Sequence, residues 1–337
     1  MSTISYKCLN CGAGIHFKPH LQKFKCDYCL SEYTEEELSN QSKEGIKGKL
    51  NSYHCKSCGA QVITDDTTTA TFCYYCHNPV IIANRLEGEF LPDKIIPFTL
   101  DKDKAQKTFL NWVGNKRFVP RDFTSSSQLE KITGIYIPHW WVDYKGSIDY
   151  IGEGRKIRVW RSGSREYTET KKYEILRKGQ IDINNVGELA FTKIDGDLLY
   201  GIGPYNEKEA IPFSMAYLSG FFAEQYNMGK EEVAPIIEEE VNRYYNYLIS
   251  ESIQGYTNIR KVKNNINIDS EKWNYTLLPA WILTYKYKGK TYVFAVNGQT
   301  GKPYGELPLS SNKMVKAFGI IFSTTFIALL IGGMFIW

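Results

Sequence analysis

The chain has 337 residues, of which 43% are hydrophobic and 23% charged, so it is long enough for two or three domains and is not a largely disordered protein. Its formal net charge of +4 is small for this length and does not by itself indicate a nucleic-acid partner. Tyrosine is frequent, with 24 residues, and because it favours strands and half-buried surfaces we expect mostly β structure.

The first eight residues have no apolar run after a basic start, so we expect no secretory signal peptide. The N-terminal part is then cytoplasmic, where thiols stay reduced. Cysteines in that compartment indicate metal ligands rather than disulfides.

All eight cysteines belong to a tandem repeat with a displacement of 47 residues. The same displacement relates Tyr6 to Tyr53 and Gly12 to Gly59, which indicates an internal duplication. Each unit has two Cys-x2-Cys pairs: Cys8, Cys11, Cys26 and Cys29 in the first, and Cys55, Cys58, Cys73 and Cys76 in the second.

This spacing predicts two zinc ribbons, each with one structural Zn²⁺ held by four thiolates. A complete set of four sulfur ligands leaves no open position for catalysis. Short hairpins over 14–25 and 61–72 fit between the pairs, and the metal would supply much of the folding free energy of each unit. Redox Cys-x2-Cys pairs and an iron–sulfur cluster are the alternatives, and two matched quartets favour neither. His77 follows Cys76, but the quartet is complete without it.

The charge of the ribbon region favours a protein partner over a nucleic acid. Residues 1–84 contain eight lysines, no arginine and eight acidic residues, and each zinc with its four thiolates adds further negative charge. Phosphate binding requires clustered cations, and guanine is read mainly by arginine. We therefore expect protein-binding ribbons, and nucleic-acid-binding ribbons are the alternative.

In the middle of the chain, the pattern predicts a helix over 101–115 and a buried, aromatic strand over 134–150. His139 lies within that strand, and we interpret it as a packed histidine rather than a functional one. A hairpin is predicted over 157–176. Residues 153–178 carry nine Lys plus Arg against four Glu, which favours a solvated strand face or, alternatively, contact with anionic lipid headgroups.

A second helix is predicted over 230–252, and two strands over 278–296 with a turn at Lys288-Gly289. The apolar side of the helix consists of Val233, Ile237, Val241, Tyr244 and Leu248. The sequence has no GxSxG, HExxH or dinucleotide-binding motif, and Gly289-Lys290-Thr291 lacks the first glycine of a P-loop. We expect no enzyme, and a ligand-binding middle region remains an alternative that requires a polar pocket.

Residues 317–337 have no charged side chain, and a helix of this length spans roughly 30 Å, the thickness of the bilayer hydrocarbon core. Lys313 and Lys316 precede it and Trp337 ends it, as is typical of a membrane span with its basic end in the cytoplasm. A buried core helix is the alternative. We expect a single-pass anchor in the cell membrane.

The predicted fold is therefore multidomain: two small β zinc ribbons, an α+β middle region and one C-terminal transmembrane helix. The expected boundaries are 1–38 for the first ribbon, 39–52 for a linker, 53–84 for the second ribbon, 85–312 for the middle region and 313–337 for the anchor.

The whole arrangement resembles the double-zinc-ribbon, single-span membrane proteins of Bacillus-type stress operons that encode PspA-like and SPFH-like proteins. Besides the paired cysteine units and the terminal helix, the stretches IPHWWVDY (137–144) and LPAWILTYKYKGKTYVFAVNGQTGKPYGELP (278–308) carry the resemblance. Such proteins are often labelled as similar to replication-restart helicases. The resemblance implies a scaffold that docks PspA-like and SPFH-like stress proteins at the membrane. Separately, Gly332-Gly333 in the terminal helix permits close helix packing, so a second membrane protein is a further candidate partner.

Overall fold

The computed structural model describes residues 3–4, 6–39, 52–56, 61–64, 67–72, 78–82, 85–86 and 88–336. Over these residues the chain is an α+β protein. The strands are β1 (Thr3–Ile4), β2 (Ile15–Lys18), β3 (Lys23–Cys26), β4 (Glu32–Tyr33), β5 (Ser52–His54), β6 (Gln61–Ile63), β7 (Thr68–Phe72), β8 (Pro79–Ile82), β9 (Lys94–Ile95), β10 (Thr133–Ser162), β11 (Arg165–Leu189), β12 (Ile211–Pro212), β13 (Phe222–Glu224), β14 (Asn258–Tyr287), β15 (Lys290–Asn297) and β16 (Pro303–Gly305). The α-helices are α1 (Glu35–Ser39), α2 (Lys102–Gly114), α3 (Ser126–Leu129), α4 (Gly196–Ile202), α5 (Lys230–Ser252) and α6 (Ser311–Ile336).

One large sheet organises the described part of the chain. Its order is β1-β8-β7-β13-β10-β14-β15-β16, and β11 also pairs with β10, while β9 links β12 to β14. The sheet therefore includes strands from the second cysteine repeat as well as from the middle region. The domain boundaries given above stay predictions.

Three very long strands extend from this sheet. β10 and β14 each have 30 residues and pair antiparallel from Thr133 opposite Ile282 to Arg155 opposite Asn258. Beyond that point β10 and β11 continue as a two-stranded ribbon to a tight turn, where Gly163 has a φ of +63°. We call residues 155–172 the arm. The predicted hairpin is confirmed, but β10 is much longer than the strand expected over 134–150.

The predicted helix over 230–252 is confirmed as α5. Val233, Ile237 and Val241 are buried as expected, but the C-terminal half of the helix buries other residues than the expected ones. Tyr245 and Ile249 are buried, whereas Tyr244 is 46% exposed and Leu248 is 49% exposed. The C-terminal half of α5 packs on the twisted base of the arm, against Ile175 among others. The residues of α5 that contact the sheet recur at every fourth position through Val241, Tyr245 and Ile249. Tyr244 and Leu248 lie off this row and are therefore turned away from the core.

Helix α2 and the β14–β15 hairpin also follow the sequence pattern. Asp101 caps α2 by accepting a hydrogen bond from the Lys104 N–H at 2.9 Å, and the turn of the hairpin lies at Lys288-Gly289. Phe109 of α2 packs against Phe294 of β15, with ring centroids 4.8 Å apart. These contacts join the helix to the edge of the sheet.

Helix α6 leaves the body of the protein at this same edge. The Lys313 ammonium donates to the Val119 carbonyl at 2.6 Å, and the Lys288 ammonium contacts the Ser311 hydroxyl at 2.9 Å. Over Ser311–Ile331 the helix is long and apolar enough to cross a membrane, and none of this stretch is buried. It is therefore not a core helix of the described structure.

Candidate metal centre

The four cysteines of the first unit converge on one point. The Sγ atoms of Cys8, Cys11, Cys26 and Cys29 all lie within 4.8 Å of one another. The shortest contacts are 3.4 Å between Cys8 and Cys29 and 3.5 Å between Cys11 and Cys26. A disulfide would bring the sulfur atoms to about 2.0 Å, so all four remain free thiols.

Two similar turns present these sulfur atoms. In each turn, the residue after the second cysteine donates its N–H to the carbonyl of the first: Gly12 to Cys8 at 2.9 Å, and Leu30 to Cys26 at 3.0 Å. Both residues have a positive φ, +74° for Gly12 and +64° for Leu30. The strands β2, β3 and β4 hold the two turns together.

The dimensions fit a tetrahedral ion. Metal–sulfur bonds of about 2.3 Å, as for zinc, give a tetrahedron with sulfur–sulfur edges of about 3.8 Å. The observed separations bracket that value, from 3.4 Å to within 4.8 Å. The cluster can therefore bind a metal ion, and its four sulfur atoms would fill a tetrahedral coordination sphere.

Hydrogen bonds prepare one of these thiols for ionisation. Burial of Cys8 opposes its thiolate, but the Tyr33 hydroxyl at 3.0 Å and the backbone N–H groups of Cys11 and Asn10 stabilise it. Together they lower the pKa of Cys8 to about 6. Hydrogen bonds to Ser31 likewise lower the pKa of Cys29. Such partners orient and stabilise metal ligands.

Cys11 shows how a cation would stabilise the four thiolates together. The N–H of Ala13 favours the Cys11 thiolate, but loss of hydration and the neighbouring sulfur atoms of Cys29, Cys26 and Cys8 outweigh it. They raise the pKa of Cys11 to about 12. Four thiolates at this distance repel one another, and a bound divalent cation would offset that repulsion.

The first cysteine unit (residues 6–33) is firmly docked on the rest of the protein. The Phe17 N–H donates to the Ser219 carbonyl at 3.0 Å, and the Ser219 hydroxyl donates to the Ile15 carbonyl at 2.5 Å. The rings of Phe17, Phe24 and Tyr217 form a triangle with centroids 5.1 to 5.6 Å apart. The unit thus shares one core with the main sheet.

The second cysteine unit (residues 53–80) repeats the strand pairing of the first. Three backbone pairs of the first unit recur in the second with the displacement of 47 residues. In the first unit the pairs are Lys7–Gly14, Phe24–Tyr33 and Lys25–Glu32. In the second they are, in the same order, His54–Gln61, Thr71–Val80 and Phe72–Pro79. Cys55 is buried. Cys58, Cys73 and Cys76, and with them His77, lie outside the described residues. The internal duplication therefore extends to the backbone, and the second metal site stays a prediction.

Sequence reasoning missed the exposed apolar surface of the first unit. Leu9, Tyr28 and Leu30 are 60%, 84% and 64% exposed, and all three lie in the turns that carry the cysteines. We call these three side chains the knuckle patch. The only signal in the sequence was their position inside or beside a Cys-x2-Cys pair, where the cysteines occupy the inner side of the turn and the other side chains point to solvent.

Comparison with known proteins gives one relative over almost the whole chain. The protein is 34% identical over 331 residues to the uncharacterized protein YdjG of Bacillus subtilis (strain 168), covering 97% of this chain and 96% of YdjG. No protein-family model matches the chain. No solved structure matches it either. The similarity thus extends through the cysteine units, the middle region and the C-terminal helix.

Proposed function

From the premise that this chain belongs to the family of Bacillus subtilis YdjG over nearly its full length, we propose that it is a membrane-anchored zinc-ribbon adaptor. Its cysteine units hold two structural Zn²⁺ ions and dock cytoplasmic proteins, while α6 keeps the assembly at the cell membrane. The knuckle patch is the observation that carries this proposal.

Zinc is the metal that best suits the cluster. A compact set of four thiolates is typical of structural zinc sites, and the hydrogen bonds from Tyr33 and Ser31 are the outer partners that such sites use. The repeated backbone pairing in the second unit supports a second ion. Neither ion would have a free position for catalysis, so the proposed role is structural.

The knuckle patch has the features of a protein-docking surface. Three large apolar side chains are exposed on a small unit that is itself held rigidly by the main sheet. Exposed apolar groups on rigid supports are common where a protein contacts a partner. In the first unit, Asp27 and Glu32 lie within 4 Å of the hairpin lysines Lys18, Lys23 and Lys25 and offset their charge, which makes this surface a poor binder of phosphate groups.

Leu30 strengthens this interpretation because its backbone favours glycine. It occupies the same turn position as Gly12, with a φ of +64°. A leucine in this region costs of order 1 kcal/mol or more relative to glycine. Its side chain is 64% exposed, so it repays none of that cost by packing in the core. A contact with a partner would explain why a leucine occupies the position.

The resemblance stated above supplies the expected partners. PspA-like and SPFH-like stress proteins are soluble or peripheral, so a scaffold that recruits them requires a membrane anchor and a docking surface. In this proposal α6 is a single-pass span, with the basic Lys313 and Lys316 on the cytoplasmic side. A second membrane protein can contact the exposed faces of α6.

Changing the knuckle patch tests the adaptor function. We expect the triple variant Leu9→Ser, Tyr28→Ser and Leu30→Gly to lose co-purifying partners by about tenfold or more, because hot-spot side chains carry most of the binding free energy. Tagged full-length protein is solubilised from native membranes, treated with nuclease and analysed by quantitative mass spectrometry. Leu30→Gly relieves backbone strain, so the loss would not reflect misfolding.

The matched control carries Ile157→Ser, Val159→Ser and Tyr167→Ser, which remove three large side chains of the arm that are 42 to 54% exposed. Retention of PspA-like or SPFH-like proteins by this control, and their loss from the knuckle variant, would support the proposal. If wild type, the knuckle variant and the arm control recover equal amounts of the partner proteins, the knuckle patch is not the docking surface. Metal content, measured in parallel, should be unchanged in both variants.

One observation favours a second candidate function, a membrane-tethered nucleic-acid-binding protein. Trp160 and Tyr167 lie opposite each other on one face of the arm, with ring planes 15° apart and centroids 5.6 Å apart. The same face carries the cations Lys156, Arg158, Arg165 and Lys171, with Glu169 as its one acidic residue. Exposed aromatic rings among cations are typical of surfaces that bind single-stranded nucleic acid.

Fluorescence anisotropy with a labelled oligo(dT) strand tests this candidate at low salt. If it is correct, the double variant Trp160→Ala, Tyr167→Ala weakens binding about tenfold or more, because each stacked base contributes roughly 1–3 kcal/mol. The knuckle variant serves as the control and should bind like wild type. No change in anisotropy at about 50 mM salt would remove nucleic acid from consideration.

A further inference from the structure

A cavity of about 640 Å³ lies between α5, the end of β11 and the segment around α4. Its size is within the range of pockets that hold small organic ligands. The floor is formed by β10 through His139 and Trp141, and the walls come from the other elements. This is a concave, partly polar pocket in the middle region, which a ligand-binding function requires.

Aromatic rings dominate the cavity walls. The five rings belong to Trp141, Tyr200, Tyr205, Tyr244 and Tyr247. Trp141 packs closely against Gly187, its partner on β11, where a Cβ atom would come within 2.7 Å of the indole. Tyr200, Tyr244 and Tyr247 are 46 to 58% exposed, although each has a large apolar ring. These rings face the cavity instead of the protein core.

The charged residues that line the cavity are carboxylates. Asp182, Glu207 and Glu240 line it, and its lining contains no lysine and no arginine. Arg243 reaches Glu240 at 2.7 Å, but its side chain is 73% exposed and lies outside the lining. The cavity is therefore negative as well as aromatic.

A further carboxylate lies behind the wall. Glu188 is only 6% exposed and accepts a hydrogen bond from the Tyr200 hydroxyl. It has no salt bridge to another residue in the part of the chain that the structure describes. Burial raises the pKa of Glu188 and also that of Glu207, so a positive charge in the cavity would stabilise both carboxylates.

We propose that this cavity binds an organic cation, with an ammonium or guanidinium nitrogen enclosed by the tyrosine rings and the carboxylates. Aromatic faces attract cations, and enclosure by several rings is how proteins recognise alkylated ammonium groups. A bare metal ion would gain little from apolar walls, and an anion would be repelled by the carboxylates. The site is independent of the metal centre and of the knuckle patch.

Choline and its neutral isostere 3,3-dimethylbutan-1-ol test the proposal directly. The two have nearly the same shape, and only choline has a positive charge. Isothermal titration calorimetry is done on the full-length protein in a maltoside detergent, since detergents with choline headgroups would compete. We expect choline to bind at least about tenfold more tightly than the isostere, as a cation–π site of roughly 1–2 kcal/mol requires.

Two variants locate the binding in the cavity. Tyr244→Ala should weaken choline binding about tenfold, and Glu207→Gln about threefold, because both residues are partly solvated. Tyr244 is on the helix surface, where alanine is well tolerated, and circular dichroism verifies folding. Tyr167→Ala and Glu169→Gln on the arm are the matched controls and should bind like wild type. Equal binding of choline and the isostere, or wild-type affinity in both cavity variants, would overturn the proposal.

The cation can come from a free small molecule or from a lysine or arginine side chain of a protein. A parallel titration uses the peptides acetyl-Gly-Lys-Gly-amide and acetyl-Gly-Arg-Gly-amide. Binding of choline alone assigns the site to free organic cations. Binding of a peptide alone, weakened by Tyr244→Ala, assigns it to a protein-borne cation. If neither choline nor a peptide binds, the cavity does not bind an organic cation.

Discussion

Cys26→Ser is expected to remove one metal ion from the purified protein and to unfold the first cysteine unit, while the main sheet stays folded. Cys26 is fully buried and is a member of the four-sulfur cluster. Structural zinc sites of this kind contribute about 10 kcal/mol or more of apparent binding free energy, which the contacts that dock the unit on the main sheet cannot replace. Elemental analysis and limited proteolysis measure the two effects.

Cys55→Ser is the paired experiment on the second unit. With two independent sites, wild type holds two zinc equivalents per chain and each single variant holds one. Loss of both ions from either variant would mean that the units fold as one. Retention of both ions by Cys26→Ser would contradict the four-cysteine site, whatever the stability of the protein.

Tyr33→Phe tests the first metal site by a smaller change, which is measured as the pH at which the site releases its metal. The Tyr33 hydroxyl helps to lower the pKa of Cys8 to about 6, so its removal raises that pKa. Protons then compete with the metal for the thiolate at a higher pH. On acidification, the variant should therefore release its metal at a higher pH than wild type, with roughly 10- to 100-fold weaker affinity at a fixed pH. Superimposable release curves would show that the Tyr33 hydroxyl does not stabilise the bound form.

The sequence predicted those parts of the structure in which chemistry or periodicity is local. The convergence of Cys8, Cys11, Cys26 and Cys29 follows from spacing alone, because four thiols in two tight turns can satisfy one ion. Helix α5 was predicted with its bounds, and the turn at Lys288-Gly289 with its position. Each of these depends on residues near one another in the chain.

The long strands could not be predicted in the same way. The sequence predicts a strand over 134–150 and a hairpin over 157–176, but Gly152 and Gly154 between them are typical of a break, so it does not show that β10 continues from one to the other. Its extension depends on pairing with β14, more than a hundred residues later in the chain. The same long-range packing decides that α5 buries Tyr245 instead of Tyr244, and hence that the aromatic cavity exists.

His139 illustrates the limit for single residues. The sequence favoured a packed histidine, and its Nδ1 atom does contact the Ile137 carbonyl at 3.2 Å, with burial lowering the pKa of the imidazole to about 4. The same ring lines the floor of the cavity. The pattern of one strand cannot reveal a cavity, because its walls come from α5 and from the segment around α4.

Removal of α6 is expected to release the protein from the membrane. The uncharged stretch over 317–331 contributes a mostly apolar, exposed surface, including Phe318 and Leu329, both 70% exposed. Burial of such a surface in lipid is worth tens of kcal/mol at about 25 cal/mol per Å². Full-length protein should stay in the membrane fraction after washes with high salt or carbonate, whereas a chain that ends at Ser310 should be soluble.

A charge scan on the intact chain separates spanning from surface attachment. Phe326→Arg lies near the middle of α6 and should cost about 2.5–3.5 kcal/mol of insertion free energy, while Val315→Arg, beside Lys313 and Lys316, should be tolerated. If the truncated chain remains bound to membranes but is released by salt, attachment is electrostatic. The basic arm would then be the membrane contact. It is a separate site from α6, because β14 runs about 100 Å along its contour from the start of α6 to the arm. Release by truncation alone would instead leave the arm free in the cytoplasm, where a soluble partner can reach it.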